Sequence, residues 1–232
     1  MTARSCAGAA AGFAVAILAA ACGGAAFPGP SETPVPTPAS ATPIAAATAA
    51  PVAAGSWIVG EKSKATVRVR EQLARVNAPS DAVLVATGAT GSFLLKDDGT
   101  FSTDSKITFD LTTLTSDQRQ RDDFIKQGTL QTRQFPKAEL ALSKLTGLPL
   151  PLPASGDFKA TLAGRMTIHG VTKDVTFDVQ AKRAGADLTA TATANPTWKF
   201  ADFGMTPPTS FSVLSVVDEI RLSVDLVASL KG

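Results

Sequence analysis

Side chains suited to catalysis are scarce in this chain, whose 232 residues include one histidine, two cysteines and no tyrosine. A serine hydrolase triad needs a histidine as its base. The only candidate, His169, lies in the predicted turn 168–171, where we expect it to bond its own backbone. Zinc sites need more histidine and cysteine ligands than the chain offers. The sequence therefore predicts a protein that is not an enzyme and has no metal or cofactor.

Charged residues point to no special chemistry either. Lysine and arginine total 22 and aspartate and glutamate total 20, a net charge of +2, which argues against binding nucleic acid. The run Asp97-Asp98-Gly99 is compatible with a calcium loop, but a hairpin turn explains it without an ion.

The first residues have the pattern of an export signal. Arg4 precedes an apolar run that ends in small residues before Cys22, so we predict a signal peptide over residues 1–21. The segment 18–22 resembles a bacterial lipobox, with Ala19 in the position that leucine usually occupies. We expect lipidation of Cys22, which would anchor an exported protein on the outer face of the cytoplasmic membrane or in the periplasm. Ordinary secretion with nearby cleavage is the alternative.

A disordered tether is predicted to follow, so that residues 22–54 comprise the lipidated cysteine and a Pro/Ala/Thr-rich linker. Residues 25–54 contain seven prolines, eleven alanines and four threonines, and Glu32 is their only charge. Such a composition buries too little apolar surface to offset chain entropy. The folded domain is therefore expected over residues 55–232.

Alternation of apolar and polar residues dominates the folded part. It predicts strands over the segments 64–71, 83–96, 100–111, 137–145, 157–167, 173–182, 186–194 and 219–229. Strands with one wet face are typical of antiparallel sheets. Alternation alone leaves barrel and sandwich open, and in-strand glycines at Gly88, Gly91 and Gly164 favour the bent sheet of a barrel. A short helix is predicted from the capping box 115–118 to Gly128.

Several stretches of this sequence resemble the YceI-like family. They are Arg121-Asp122, Phe135-Pro136, and the hairpin 164–175, which includes His169, Gly170 and Lys173. The closing strand 218–228 also fits, and the resemblance covers about residues 56–230. It implies an all-β fold, an eight-stranded antiparallel lipocalin-like barrel with one short helix.

The same resemblance implies an apolar interior that binds an amphiphilic isoprenoid, such as a polyprenyl lipid or a quinone. The candidate ligand-binding residues lie on apolar faces or in the proline-rich segment 195–213: Phe93, Phe101, Phe109, Phe158, Met166, Phe177, Leu188, Trp198, Phe203 and Met205. From the residues alone, a solid core that serves as an exported interaction scaffold is an equal alternative. Expected partners are an apolar lipid and, through the anchor, the membrane; a homodimer is left open.

Overall fold

The computed structural model describes residues 55–231, which form an antiparallel sheet with short helical segments. The strands are β1 Ser56–Val59, β2 Lys64–Leu73, β3 Ser80–Ala86, β4 Thr90–Leu94, β5 Lys106–Asp110, β6 Lys137–Thr146, β7 Ser155–Ile168, β8 Val171–Ala184, β9 Asp187–Ala194 and β10 Val213–Leu230. The α-helix α1 spans Arg119–Phe124 and continues as a π-helix over Ile125–Thr129, and 3₁₀ helices span Leu111–Thr113 and Phe200–Phe203. The predicted signal peptide and tether lie outside the described residues.

Eight of these strands close into a ring. Their order is β1-β4-β5-β6-β7-β8-β9-β10, and β10 pairs with β1 through Trp57 and Leu230 to complete it. Every pairing is antiparallel, and successive strands from β5 to β10 are neighbours. The predicted eight-stranded antiparallel barrel is therefore confirmed.

The β2–β3 hairpin lies outside the closed ring of eight strands. The sequence pattern predicted strands in this region but did not indicate that they stand outside the ring. β10 is 18 residues long, and its N-terminal part pairs with β2 while its C-terminal part pairs with β9. β3 in turn meets the segment after β5, where the amide of Val85 donates to the carbonyl of Thr115 at 2.8 Å. The hairpin thus widens the barrel wall at this end.

Two of the predicted strands are longer than the strands that the structure forms. The segment 83–96 is interrupted between β3 and β4, where Gly88 has a φ of +69°. The segment 100–111 is regular only in β5, because a turn closes at Ser105, whose amide donates to the carbonyl of Ser102 at 3.0 Å. Ser105 is buried and its hydroxyl accepts from the amide of Leu94, so a polar contact replaces the expected alternation.

The helix begins and ends differently from the capping-box prediction. Gln118 is the N-cap and makes no side-chain capping bond. Instead the buried carboxylate of Asp122 accepts from the amide and hydroxyl of Ser116, at 2.7 and 2.6 Å. The helix passes Gly128 as a π-helical turn and ends at Thr129. Asp122 replaces the predicted capping box because its buried carboxylate accepts both hydrogen bonds from Ser116.

Glycine allows close approach of neighbouring strands at the bend of β7. A Cβ on Gly164 would lie 2.6 Å from the carbonyl oxygen of Ala141 on β6, beside a register shift between Leu142 and Lys144. Position 91 also requires glycine, because its backbone φ is +139°.

Gly164→Ala should therefore lower the free energy of unfolding by about 2 kcal/mol, because backbone must move to admit the methyl group. Urea unfolding measures this. Gly128→Ala is the matched control: nothing lies within 4 Å of its Cβ position, so alanine should be neutral or stabilising by up to about 1 kcal/mol. Equal destabilisation by both variants would contradict the assignment of the tight contact to Gly164.

Candidate binding cavity

A cavity of about 470 Å³ occupies the end of the barrel where the β2–β3 hairpin widens the wall. Strands β2, β3, β5 and β10 contribute its sides, and α1 with the π-helix and the segment 208–213 surround its mouth. Small residues on β2 and β3, Ala65, Ala82 and Ala86, leave the space open because they project little into the lumen.

Half of the candidate ligand-binding residues line this cavity. They are Phe109, Met166, Trp198, Phe203 and Met205, and all five are buried. Trp198 and Phe203 pack together with ring centroids 5.1 Å apart. The aromatic and thioether side chains give the cavity an apolar, adaptable wall, which suits a flexible hydrocarbon.

The other half lies around a second, smaller space towards the opposite end of the barrel. This lower compartment has a volume of about 90 Å³ and an apolar lining that includes Phe93, Phe101, Phe158, Phe177 and Leu188. Leu148 and Leu152, from the proline-rich loop between β6 and β7, also line it.

Beside the lower compartment, Arg183 stacks over Trp57 with its guanidinium carbon 5.0 Å from the ring centroid. The guanidinium donates to the carbonyls of Gly185, Leu152 and Pro153. Burial lowers the pKa of the Arg183 guanidinium. The side chain thereby ties the loop to the barrel wall beside this compartment.

An ion pair stands in the wall near the mouth of the larger cavity. Arg121 Nη2 lies 2.6 Å from Glu71 Oε1, and both side chains are largely buried, with 13% and 6% exposure. The other terminal nitrogen of Arg121 contacts Asp117, which lies four residues earlier, just before the helix. Gln118 and Gln120 also line the cavity. These groups place hydrogen-bond donors and acceptors at one end of an otherwise apolar space.

Exposed apolar side chains occur beside the same cavity. Phe211 is fully exposed and Phe124 is also exposed. Leu214 and Val217 are exposed as well, and they are next in sequence to the lining residues Val213 and Val216. Phe211 and Phe124 belong to the cavity lining as well. The apolar surface therefore continues from the interior onto the outside of the barrel.

Three of the residues that carry the family resemblance, Phe135, His169 and Gly170, are in contact at the β7–β8 turn. His169 and Gly170 form a two-residue turn, with φ values of +51° and +75°. The His169 ring packs edge-on against Phe135, with centroids 4.7 Å apart, and a Cβ on Gly170 would lie 2.8 Å from that phenyl ring. The carbonyl of Pro136 accepts from the amide of Leu111 at 2.8 Å.

His169 therefore packs rather than capping its own backbone. It lies in the turn that the sequence predicts, but its Nε2 is buried without a hydrogen-bond partner among the described residues and makes no bond to its own backbone. The ring fills the space beside Phe135, and that contact decides its orientation.

Lys173 fastens the helical segment 200–203 to β8. Its ammonium lies 2.6 Å from the carboxylate of Asp202, which also accepts from the amide of Lys199 at 2.8 Å. The hydrogen bond from Lys173, and next that from Lys199, hold the pKa of Asp202 below its ordinary value of 3.8. The contact positions the segment that carries Phe200 and Phe203 into the cavity wall.

A lowered carboxyl pKa stabilises the fold only where the carboxylate is ionised. The contribution of Asp202 is present above its unfolded pKa and is lost as pH falls through the lowered folded pKa. Lys173→Met should lower the free energy of unfolding at pH 7 by no more than about 1 kcal/mol, since the pair is partly exposed. We expect the difference from the native protein to shrink as pH falls below the ordinary pKa of 3.8 and to vanish below the lowered pKa of the folded state.

Denaturant unfolding across this pH range measures the effect. Lys182→Met, on the same strand and without an ion pair among the described residues, is the control and should show no such pH dependence. A pH-independent loss for Lys173→Met would contradict the role given to the ion pair.

The sequence pattern missed the cavity residues of β2 and β3. Val67, Val69 and Leu84 line the cavity, and so does Glu71. The signal was present in β2, because Glu71 shares the alternation phase of Ala65, Val67 and Val69. A charge on the apolar face of a strand would have singled out Glu71.

Within residues 55–231, the structure has no cluster of three or more histidine, cysteine, aspartate or glutamate side chains arranged to hold a metal ion. Among the same residues, no helix is long and apolar enough to cross a membrane.

A closed antiparallel barrel with an apolar cavity entered from one end defines a lipocalin-like barrel protein. The chain belongs to the YceI-like domain family, whose model matches residues 58–228.

Solved structures of low sequence identity share this fold. A polyisoprenoid binding domain from Saccharophagus degradans, implicated in plant cell wall breakdown, is 10% identical with a TM-score of 0.55, covering 75% of this chain and 98% of its own. BcnA from Burkholderia cenocepacia is 19% identical with a TM-score of 0.53, covering 72% and 97%. The YceI protein of Campylobacter jejuni is 17% identical with a TM-score of 0.51, covering 69% and 91%. No curated protein matches the chain significantly.

Proposed function

We propose that this protein binds an amphiphilic isoprenoid, a polyprenyl lipid or a quinone, with the tail in the large cavity and the polar end at its mouth. The observation that carries the proposal is the apolar cavity of about 470 Å³, which lies within the usual size range of small-molecule sites. The Arg121–Glu71 pair marks the end at which a polar group would be accommodated. The description of the Saccharophagus domain as polyisoprenoid binding supports the same ligand class.

Apolar burial is large enough to drive such binding. Three isoprene units contain about fifteen carbons, and at about 0.8 kcal/mol for each buried methylene they contribute roughly 12 kcal/mol. A micromolar Kd requires about 8.2 kcal/mol, so roughly 4 kcal/mol remains to offset the cost of association, near the lower end of its range. Micromolar affinity is the expected order.

The scaffold alternative needs a lumen filled by its own side chains. A cavity lined by alanines on β2 and β3 favours the binding role over that alternative, and we infer binding rather than catalysis. The titration described next tests binding against the scaffold alternative.

Titration of the folded domain with farnesol, followed by the fluorescence of its two tryptophans, tests the proposal. Trp198 lines the large cavity, so its emission should change with a Kd in the micromolar range, whereas glycerol should leave it unchanged. Organic extraction and native mass spectrometry of protein purified from its host should reveal an apolar guest. A domain that binds no isoprenoid and carries no guest would refute the function.

We further propose that the protein acts outside the cytoplasm on a lipid anchor at Cys22, by the lipobox-like segment described above. Cys22→Ser should release the protein from the membrane fraction into the soluble exported fraction, because a thioether-linked lipid can no longer be attached. Immunoblots of fractionated cells measure this, with Cys6→Ser as the control that should stay membrane-bound. An unchanged membrane fraction for Cys22→Ser would defeat the anchor.

A further inference from the structure

We propose that Phe177 and Trp198 form a septum that sets the maximum tail length of the bound isoprenoid. This inference rests on the proposed function and specifies which members of the isoprenoid class the cavity takes. The septum separates the large cavity from the lower compartment, so that a tail entering at the mouth stops at the two rings.

The contact between the two rings has the geometry of a closed partition. Their centroids are 5.8 Å apart and the ring planes are nearly perpendicular, at 80°. Phe177 has no exposed surface, and Trp198 is 7% exposed. Of the two spaces in the lumen, Trp198 lines the large cavity and Phe177 the lower compartment, so each ring faces a different space. Trp198 also borders an open groove beside β8, lined by Lys173 and Thr176.

Neighbouring strands explain why a ring fits across the lumen here. Phe177 on β8 pairs with Ala194 on β9, and the preceding inward positions of β9 are Ala192 and Ala190. The three successive inward alanines of this part of β9 leave room for the phenyl ring to extend inward. Trp198 is held from the other side by the pairing of its backbone with Ile220 on β10, through hydrogen bonds of 3.0 and 2.7 Å.

The space beyond the septum is suited to hydrocarbon. The lower compartment has an apolar lining, and Val224 on β10 borders both spaces. Its volume of about 90 Å³ is small beside the 470 Å³ above it, and rings of Trp57, Phe93 and Phe101 surround it. Removing part of Phe177 would join the two spaces into one longer channel.

Tail length is therefore the property to vary. We would measure the Kd of geraniol, farnesol, geranylgeraniol and solanesol for the native domain, Phe177→Leu and Phe177→Ala. Phe135→Leu is the matched control, because it removes a half-buried ring that packs on His169 and lines neither space of the lumen. Phe177→Leu keeps an apolar side chain for the case in which Phe177→Ala does not fold, and circular dichroism checks each variant.

Affinity for the native domain should rise with tail length and then level off once the large cavity is full. In the Phe177 variants the plateau should move to the next longer alcohol, with a gain on the order of tenfold for that ligand, because a further isoprene unit is buried. Phe135→Leu should keep the native plateau.

The two tryptophans report the position of the tail. In the native domain the emission of Trp198 should respond to farnesol, and that of Trp57, isolated by difference from Trp57→Phe, should not. In Phe177→Leu the longer alcohol should also perturb Trp57.

The outcomes separate the septum from the function it refines. A native domain that binds none of the alcohols refutes the proposed function. If the native domain binds them, two results refute the septum alone. One is an unchanged plateau in a folded Phe177 variant, and the other is a Trp57 response already present in the native protein.

Discussion

Ala82→Phe is expected to weaken the binding of farnesol more than about a hundredfold while the barrel stays folded. Ala82 is buried on β3 and points into the large cavity. A phenyl ring at this position occupies the volume that the tail needs. Losing room for about four methylenes, at about 0.8 kcal/mol each, costs about 3 kcal/mol of binding free energy, which corresponds to that factor in Kd.

Stability should change little in the same variant. The new ring enters an open cavity rather than packed core, so we expect the free energy of unfolding to stay within about 1 kcal/mol of the native value. Fluorescence titration and urea unfolding measure the two quantities separately.

Val83→Phe is the control for added bulk on the same strand. Val83 has the opposite alternation phase to Ala82 and is absent from the cavity lining, so its ring should leave farnesol binding unchanged. Full affinity in a folded Ala82→Phe domain would place the tail elsewhere. An equal loss of farnesol affinity in both variants would indicate that any added ring on β3 disturbs binding, whether or not it fills the cavity.

The closed ring was predictable because each of its longer strands carries its own alternation signal. β7, β8 and β9 follow one another with tight turns at His169-Gly170 and Gly185-Ala186, so local sequence determines both pairing and phase. Regular alternation of this kind predicts a strand without any knowledge of distant contacts. The family resemblance adds the topology that joins these hairpins.

Long-range contacts explain what the pattern could not predict. The strand β1 is only four residues long and depends on Trp57 pairing with Leu230 at the far end of the chain. The position of β2 beside β10, and of β3 beside Thr115, is likewise decided by residues far apart in sequence. Short alternating segments carry no information about which distant strand they pair with.

The division of the lumen was also beyond the sequence pattern. Alternation assigns Phe109 and Phe158 alike to apolar faces, but it does not say how far along the barrel axis each ring lies. The structure places Phe109 at the large cavity and Phe158 at the lower compartment. Depth along a tilted barrel depends on strand register, which only the assembled sheet defines.

Glu71→Leu is expected to lower the free energy of unfolding by about 3 kcal/mol, because it leaves the largely buried Arg121 guanidinium without its closest carboxylate. Asp117 remains in contact with Arg121, but its side chain is 71% exposed and replaces little of the lost interaction. Urea unfolding at low and high salt measures the change. A pair shielded from solvent should show little salt dependence.

The double variant Glu71→Leu/Arg121→Met should recover to within about 1 kcal/mol of the native protein, since both charges are then removed together. The cycle, completed by the single variant Arg121→Met, isolates a coupling of at least about 2 kcal/mol between the two side chains. Glu139→Leu is the control for an exposed pair: Glu139 lies 3.8 Å from Lys106 with both side chains about half exposed, so its loss should cost less than about 1 kcal/mol. Additive effects of the two substitutions would contradict this prediction. They would show that Glu71 and Arg121 stabilise the barrel independently and that their mutual contact does not hold either side chain in place.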